Sequence, residues 1–284
     1  MEIIVGKTAG FCFGVSNAVN KTKEELTKQN ELYCLGELVH NKEVTKELEK
    51  EGLIFINNIQ NAKKSVIIRA HGEPESTYEK ATKLNLNIID LTCPKVIKIH
   101  NIVKEYAKKG YYIFLIGQKE HPETIGTISY CGKFADIIEK EKDLNNAINR
   151  FNNSKKVNLL IISQTTFSME KFDNITEIIK EKLNKINNIE IKNTICDATK
   201  LRQKETDKIA GEVDLMIIIG GKHSSNTNKL YNIATAKCKN CILIENKKEL
   251  NIEYVKKFNK IGVMAGASTP KKSIDGVVDL LTQI

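Results

Sequence analysis

Three cysteines share one kind of position. Cys12, Cys93 and Cys196 each end a strand-like segment and open a helix-like one, in Ala9-Gly10-Phe11-Cys12-Phe13-Gly14-Val15, Leu91-Thr92-Cys93-Pro94 and Thr194-Ile195-Cys196-Asp197. Structural zinc sites take cysteines in close pairs that fold a short loop around the metal, and this wide spacing argues against one. Thiolates brought together from distant points suit an iron–sulfur cluster, and three ligands on a four-iron cube leave one iron open to a substrate oxygen. The other cysteines carry less. Cys34 and Cys131 read as small apolar residues. Cys238-Lys239-Asn240-Cys241 has redox or zinc spacing but no second pair nearby, and it leads into a strand rather than opening a helix.

A set of polar residues follows the same rule, falling just past strand ends where α/β folds gather functional groups. It comprises His40, His71, His121-Pro122-Glu123, Gln164-Thr165-Thr166, Ser224-Ser225-Asn226 and Gly266-Ala267-Ser268. Any one of them by itself is better explained as an ordinary loop residue. Together with the cysteines they can line one shared cavity. The set suits an anion: Ser224, Ser225, Asn226 and Ser268 are neutral donors near helix N-termini. His40, His71 and His121 add donors and, when protonated, charge, so anion affinity is expected to weaken above about pH 7. Neither His100, inside a helical run, nor His223, beside the serine pair, earns a role by position. Two phosphate-loop look-alikes fail: Gly221-Lys222 runs into His223 where Ser or Thr is required, and Gly6-Lys7-Thr8 lacks an upstream glycine.

The elements that must position these groups alternate along the chain. Strand patterns fall at 2–5, 32–35, 65–69, 86–91, 111–116, 157–162, 190–194, 214–219, 241–244 and 260–264, with helical patterns between them at 15–29, 42–50, 94–108, 172–185, 200–210 and 226–236. This alternation predicts an α/β fold with small, mainly parallel sheets. The cysteine spacing suggests three successive α/β units: 1–93 with Cys12, His40 and His71; 94–193 with His121, Glu123 and Thr165; and 194–268 with Cys196, Ser224, Ser225 and Asn226. Residues 269–284 are expected to close the cavity. No Pro/Gly/Ser-rich linker separates the units, so tight docking is expected.

Composition narrows the partners. The 284 residues are 41% hydrophobic and 28% charged, ordinary for a globular protein, and no apolar run is long enough to span a membrane. The N-terminus reads as a strand rather than a signal peptide, which gives a cytoplasmic expectation and makes disulfides unexpected. The net charge is +9, but basic residues alternate with acidic ones, as in Lys21-Thr22-Lys23-Glu24-Glu25, and only 6% of residues are aromatic. Nucleic-acid binding is therefore not expected. A modest positive field favours an anionic substrate or an acidic protein partner.

Taken as a whole, these motifs resemble the 4-hydroxy-3-methylbut-2-enyl diphosphate reductase family of the non-mevalonate isoprenoid pathway. The likeness runs from Gly10-Phe11-Cys12-Phe13-Gly14-Val15 through Leu38-Val39-His40-Asn41, Arg69-Ala70-His71-Gly72, Thr92-Cys93-Pro94 and Gly117-x-x-x-His121-Pro122-Glu123. It continues with Ser163-Gln164-Thr165-Thr166, Ile195-Cys196-Asp197-Ala198-Thr199-x-x-Arg202-Gln203, Gly220-Gly221-x-x-Ser224-Ser225-Asn226-Thr227 and Gly266-Ala267-Ser268-Thr269-Pro270. The resemblance implies three similar α/β domains in pseudo-three-fold arrangement around a cavity holding a [4Fe–4S] cluster on Cys12, Cys93 and Cys196. It implies diphosphate binding by His40, His71, His121, Ser224, Ser225, Asn226 and Ser268, and proton supply by Glu123 with Thr165 beside it, where Thr165 also meets substrate. Ferredoxin or flavodoxin would be the electron donor.

Three other readings of the residues stay open at this point. A non-redox hydro-lyase would need no reductant, a cluster-bearing sensor would leave Glu123 and the anion set without purpose, and a zinc protein would be colourless.

Overall fold

Parallel sheets with buried central strands demand continuous aliphatic runs, and this chain supplies them: Tyr112–Ile116 and Leu215–Ile219 are buried at every position. The structure is a computed structural model that describes residues 1–183, 186 and 188–284. Asn184 and Lys185, where the helix expected at 172–185 was to end, lie outside the described residues. The strands are β1 Glu2–Val5, β2 Leu32–Leu35, β3 Leu53–Ile56, β4 Ser65–Ile68, β5 Asn87–Asp90 and β6 Tyr112–Ile116. They continue with β7 Ala135–Ile138, β8 Asn158–Ser163, β9 Asn188–Ile191, β10 Leu215–Ile219, β11 Cys241–Ile244 and β12 Lys260–Ala265. The helices are α1 Phe13–Leu26, α2 Lys42–Lys50, α3 Glu75–Lys83, α4 Pro94–Lys108, α5 Pro122–Ser129 and α6 Glu141–Asn153. After them come α7 Met169–Lys182, α8 Asp197–Ala210, α9 Ser225–Lys237, α10 Ile252–Val255 and α11 Lys271–Thr282.

The strands form three four-stranded parallel sheets, ordered β3-β2-β4-β5, β7-β6-β8-β9 and β11-β10-β12-β1. Each sheet has the same topology: its first strand lies beside its second on one side and its third on the other, and the fourth closes the far edge. The third sheet borrows its fourth strand from the N-terminus, with Glu2–Val5 of β1 in register with Lys260–Val263 of β12. The expected division at residue 93 therefore needs correction for β1, which it grouped with β2, β4 and β5. The segment 269–284 is likewise part of the third sheet's layer: α11 buries Ile274, Val277 and Leu281 among Ile217, Ile261 and Val263.

By compactness the chain divides into two units. Unit 1 comprises Met1–Val19, Val39–Glu51 and Asp197–Ile284, and unit 2 comprises Asn20–Leu38 and Gly52–Cys196. Unit 1 carries the third sheet and α2, which is fastened by the Ser273 hydroxyl donating to Glu43 at 2.7 Å. Unit 2 carries the other two sheets. Strands β3 and β7, which the periodicity did not reveal, are four-residue edge strands with half-exposed faces.

Glycine is required where layers meet most closely. A Cβ on Gly266 would lie 2.2 Å from Thr227 Oγ1, and one on Gly220 would lie 2.6 Å from the same atom. Thr227 is fully buried, so it has little room to retreat. Gly266→Ala is expected to cost on the order of 1–3 kcal/mol by overpacking, read as a lower urea midpoint at unchanged slope. An unshifted midpoint would contradict this packing.

Candidate functional site

Because the three sheets share a topology, their strand ends can be compared position by position. The fourth strands β5, β9 and β1 lead to Cys93, Cys196 and Cys12. The first strands β2, β6 and β10 lead to His40, His121 and Ser224, and the third strands β4, β8 and β12 lead to His71, Thr165 and Ser268. The expected site residues thus occupy equivalent stations three times over.

In unit 2, His71 sits in a tight turn closed by the Gly72 N–H donating to the Arg69 carbonyl at 3.0 Å. Gly72 has φ +72°, and a Cβ there would come within 2.8 Å of His100 Cε1. Beyond the turn, Arg69 Nε donates to Glu73 Oε1 at 3.2 Å and the Tyr130 hydroxyl donates to the Glu73 carbonyl at 3.0 Å, fixing both flanks of His71. His100 supports the turn from below. Burial, with Lys104 nearby, drives its pKa down to about 4, so it is a neutral packing group.

His121 caps α5, its Nδ1 accepting from the Glu123 N–H at 3.2 Å. A backbone N–H only donates, so Nδ1 must be unprotonated and the ring carries its proton on Nε2. In that role His121 offers Nε2–H as its donor. Its ring meets that of His71 edge to face, with centroids 5.3 Å apart.

The carboxyl of Glu123 is 2% exposed. Both its oxygens are held by one residue: the Thr165 N–H donates to Oε1 at 2.6 Å and the Thr165 hydroxyl donates to Oε2 at 2.6 Å. Burial raises its pKa to about 7, against the pull of the two Thr165 donors. The carbonyl of Thr165 in turn accepts the Cys196 N–H at 3.0 Å. Glu123, Thr165 and Cys196 are thus linked in series. The neighbouring Gln164 braces the loop after β6, its Oε1 accepting from the Gln118 N–H at 3.0 Å. In the same unit, the Cys93 N–H donates to the Ala70 carbonyl at 3.0 Å, tying that thiol to the His71 turn.

In unit 1, Ser224 caps α9, accepting from the Thr227 N–H at 3.3 Å, and the first turn of α9 holds no acid. Asn226 is 4% exposed, yet neither atom of its amide has a hydrogen-bond partner among the described residues. A buried amide left unpaired costs free energy unless a ligand completes it, which fits a polar occupant. The Ser268 hydroxyl donates to the His40 carbonyl at 3.1 Å, and the ring of His40 lies 5.6 Å from that of His223. His223 is the residue that sequence position passed over. Its closeness to His40 had no signal in the spacing, because the two belong to different strand-end loops.

Cys12, Cys93 and Cys196 are partly exposed, each at the start of a helix, and all seven cysteines are outside disulfides. Soft sulfur donors are the ligand type that iron–sulfur clusters take, so the donor set fits the group. The other thiols differ. Burial pushes Cys34, Cys131 and Cys241 up to about 12, and Cys238 donates to the Asn240 carbonyl at 3.0 Å. Cys34, Cys131 and Cys241, so reluctant to ionise, fit a packing role. Among the described residues, no helix is long and apolar enough to cross a membrane.

The chain resembles known proteins over nearly its whole length. The family described as LytB protein matches residues 3–282. A 4-hydroxy-3-methylbut-2-enyl diphosphate reductase of Clostridioides difficile is 41% identical, with all of both chains covered. One of Aquifex aeolicus is 38% identical over all of this chain and 97% of its own. Among solved structures, the E-1-hydroxy-2-methyl-but-2-enyl-4-diphosphate reductase of Plasmodium falciparum aligns with TM-score 0.92 and 34% identity, covering 99% of this chain and 88% of that one. A second solved reductase, described as the terminal enzyme of the non-mevalonate pathway, aligns over the whole of both chains with TM-score 0.73 and 37% identity. Iron–sulfur enzymes make up this family. With its fold and nearly its whole length in agreement, the chain belongs to the LytB family of oxidoreductases.

Proposed function

We propose that the protein reduces 4-hydroxy-3-methylbut-2-enyl diphosphate to isopentenyl and dimethylallyl diphosphates. The allylic C–O bond breaks, two electrons and two protons enter, and water leaves. The observation that carries this reading is Glu123, a buried carboxyl poised at about 7 and linked through Thr165 to Cys196. Such a group holds a proton at neutral pH and can release it to a developing hydroxide or allylic carbon.

Cys12, Cys93 and Cys196 would hold a [4Fe–4S] cluster. When bound, it would supply single electrons and one iron without a cysteine ligand as a Lewis acid for the substrate hydroxyl. The chain's own residues do the rest. Thr165 orients the Glu123 carboxyl through two short hydrogen bonds and is near enough to the proton route to meet substrate. His121 offers Nε2–H, and His40 and His71 are the remaining histidines able to add charge to the diphosphate grip. Ser224, Ser225 and Asn226 present hydroxyls, an amide and the α9 N-terminus, and Ser268 completes the set. The electrons would come from a one-electron protein carrier such as ferredoxin or flavodoxin.

The test is anaerobic purification with iron and sulfide analysis, followed by an assay on the hydroxylated diphosphate with and without reductant. Turnover without reductant would overturn the reductase reading in favour of a hydro-lyase, and a colourless zinc protein would overturn it altogether.

Thr165→Val gives a finer check. The Thr165 hydroxyl lowers the Glu123 pKa, so its loss raises that pKa further. A general acid works protonated, and activity falls as pH rises through its pKa. The alkaline limb of the pH–rate profile is therefore expected to move to higher pH while turnover drops about tenfold. A limb that stays in place would separate Glu123 from the titration.

A further inference from the structure

The helix that begins directly after Cys196 also grips the loop that ends at Cys12. Arg202, 4% exposed on α8, donates from Nη2 to the Gly10 carbonyl at 2.6 Å and from Nη1 to the Ala198 carbonyl at 3.1 Å. Its guanidinium therefore joins a carbonyl two residues past Cys196 to one two residues short of Cys12. One turn along, the Glu205 carboxylate accepts from the Lys7 N–H at 2.7 Å, the Thr8 N–H at 2.8 Å and the Thr8 hydroxyl at 2.5 Å. Burial would raise its pKa, yet these donors hold the carboxyl below its ordinary range.

Further backbone hydrogen bonds hold the loop at both ends. Gly6 N–H reaches the Val263 carbonyl at 2.9 Å, Ala9 N–H reaches the Gly6 carbonyl at 3.1 Å, and Cys12 N–H reaches the Ala267 carbonyl at 3.1 Å. Between the first and last of these anchors, the loop's apex is held by Glu205 and the Gly10 carbonyl by Arg202. Gly10 has φ +100°, a left-handed conformation that glycine reaches without strain and that other residues would not.

We propose that Arg202 and Glu205 are positioning residues for Cys12, so that α8 serves two thiols at once: Cys196 through its first residue and Cys12 through its side chains. As a statement about cluster ligation, this rests on the reading given above; as a statement about the Cys12 loop, it stands without it. A lysine at 202 keeps the charge but cannot fork to two carbonyls, so it should not substitute.

The experiment is residue-resolved amide exchange on the iron-free protein, comparing wild type with Arg202→Lys and Glu205→Gln, with chelator-driven iron release measured on the reconstituted forms. The expected result is a Cys12 amide exchanging about tenfold faster or more in both variants, the weight of one charge-assisted hydrogen bond on a local opening. The β10 amides should stay at the wild-type rate, and iron should leave faster. The proposal is overturned if the Lys7 and Thr8 amides open while Cys12 keeps its wild-type exchange, since the grip then ends at the apex. Opening of β10 in step with Cys12 in both variants would also overturn it, as the residues would then support only the general fold. Iron-free protein on purification would count against the cluster reading and leave the exchange result to decide the loop.

Discussion

Glu123→Gln is expected to keep its iron and lose roughly 10²-fold or more in turnover, as befits a lost proton donor. Glutamine retains the shape and can still accept the Thr165 N–H, so the loop after β8 should hold. The same substitution has a stability signature of definite sign. The native Glu123 pKa is about 7 against an ordinary 4.5, so the folded protein keeps a proton that the unfolded chain releases. Its favourable contribution is intact below 4.5 and is lost as pH rises through 7, where the carboxylate is buried at full cost. That cost is on the order of 3 kcal/mol, and glutamine removes it. The variant's melting temperature, measured on iron-free protein, should therefore gain on the wild type between pH 5 and pH 8. A variant with near-normal turnover and no such gain would mean that the carboxylate has another task.

The second large effect concerns the thiols. Cys12→Ser, Cys93→Ser and Cys196→Ser should each abolish the brown colour and the activity together, because a neutral hydroxyl is a poor substitute for a thiolate on iron. Cys34→Ser, Cys131→Ser and Cys241→Ser should keep both, since those thiols are packing groups. Any loss there should follow stability instead. Absorbance and iron content per chain, measured anaerobically, separate the two groups. Full iron in Cys196→Ser would break the proposed ligand set.

Much of the site was legible because α/β folds put chemistry at strand ends, and strand ends are local. A run such as Ile217-Ile218-Ile219-Gly220-Gly221 announces a buried strand and its turn, and the serines beyond it need no distant information. Strands β3 and β7 escaped for the opposite reason. Being half-exposed edges of four residues, they have neither the aliphatic run nor a clean alternation.

The sequence by itself determined the α/β class, the three cysteines at helix starts, and the identity of the histidines, serines and carboxyl that accompany them. The tertiary structure decided what depends on residues far apart along the chain. It moved β1 into the sheet of β12, a pairing between the two ends of the chain that no periodicity encodes. It brought Thr165 to Glu123 across 42 residues and excluded water, and that burial is what moves an ordinary carboxyl to about 7. It seated His121 at the start of α5 with Nδ1 facing the Glu123 N–H. The cysteines that first marked the chain gained their supports in the same way. The spacing gave their positions, and only packing could place Arg202 and Glu205 on the loop that carries Cys12.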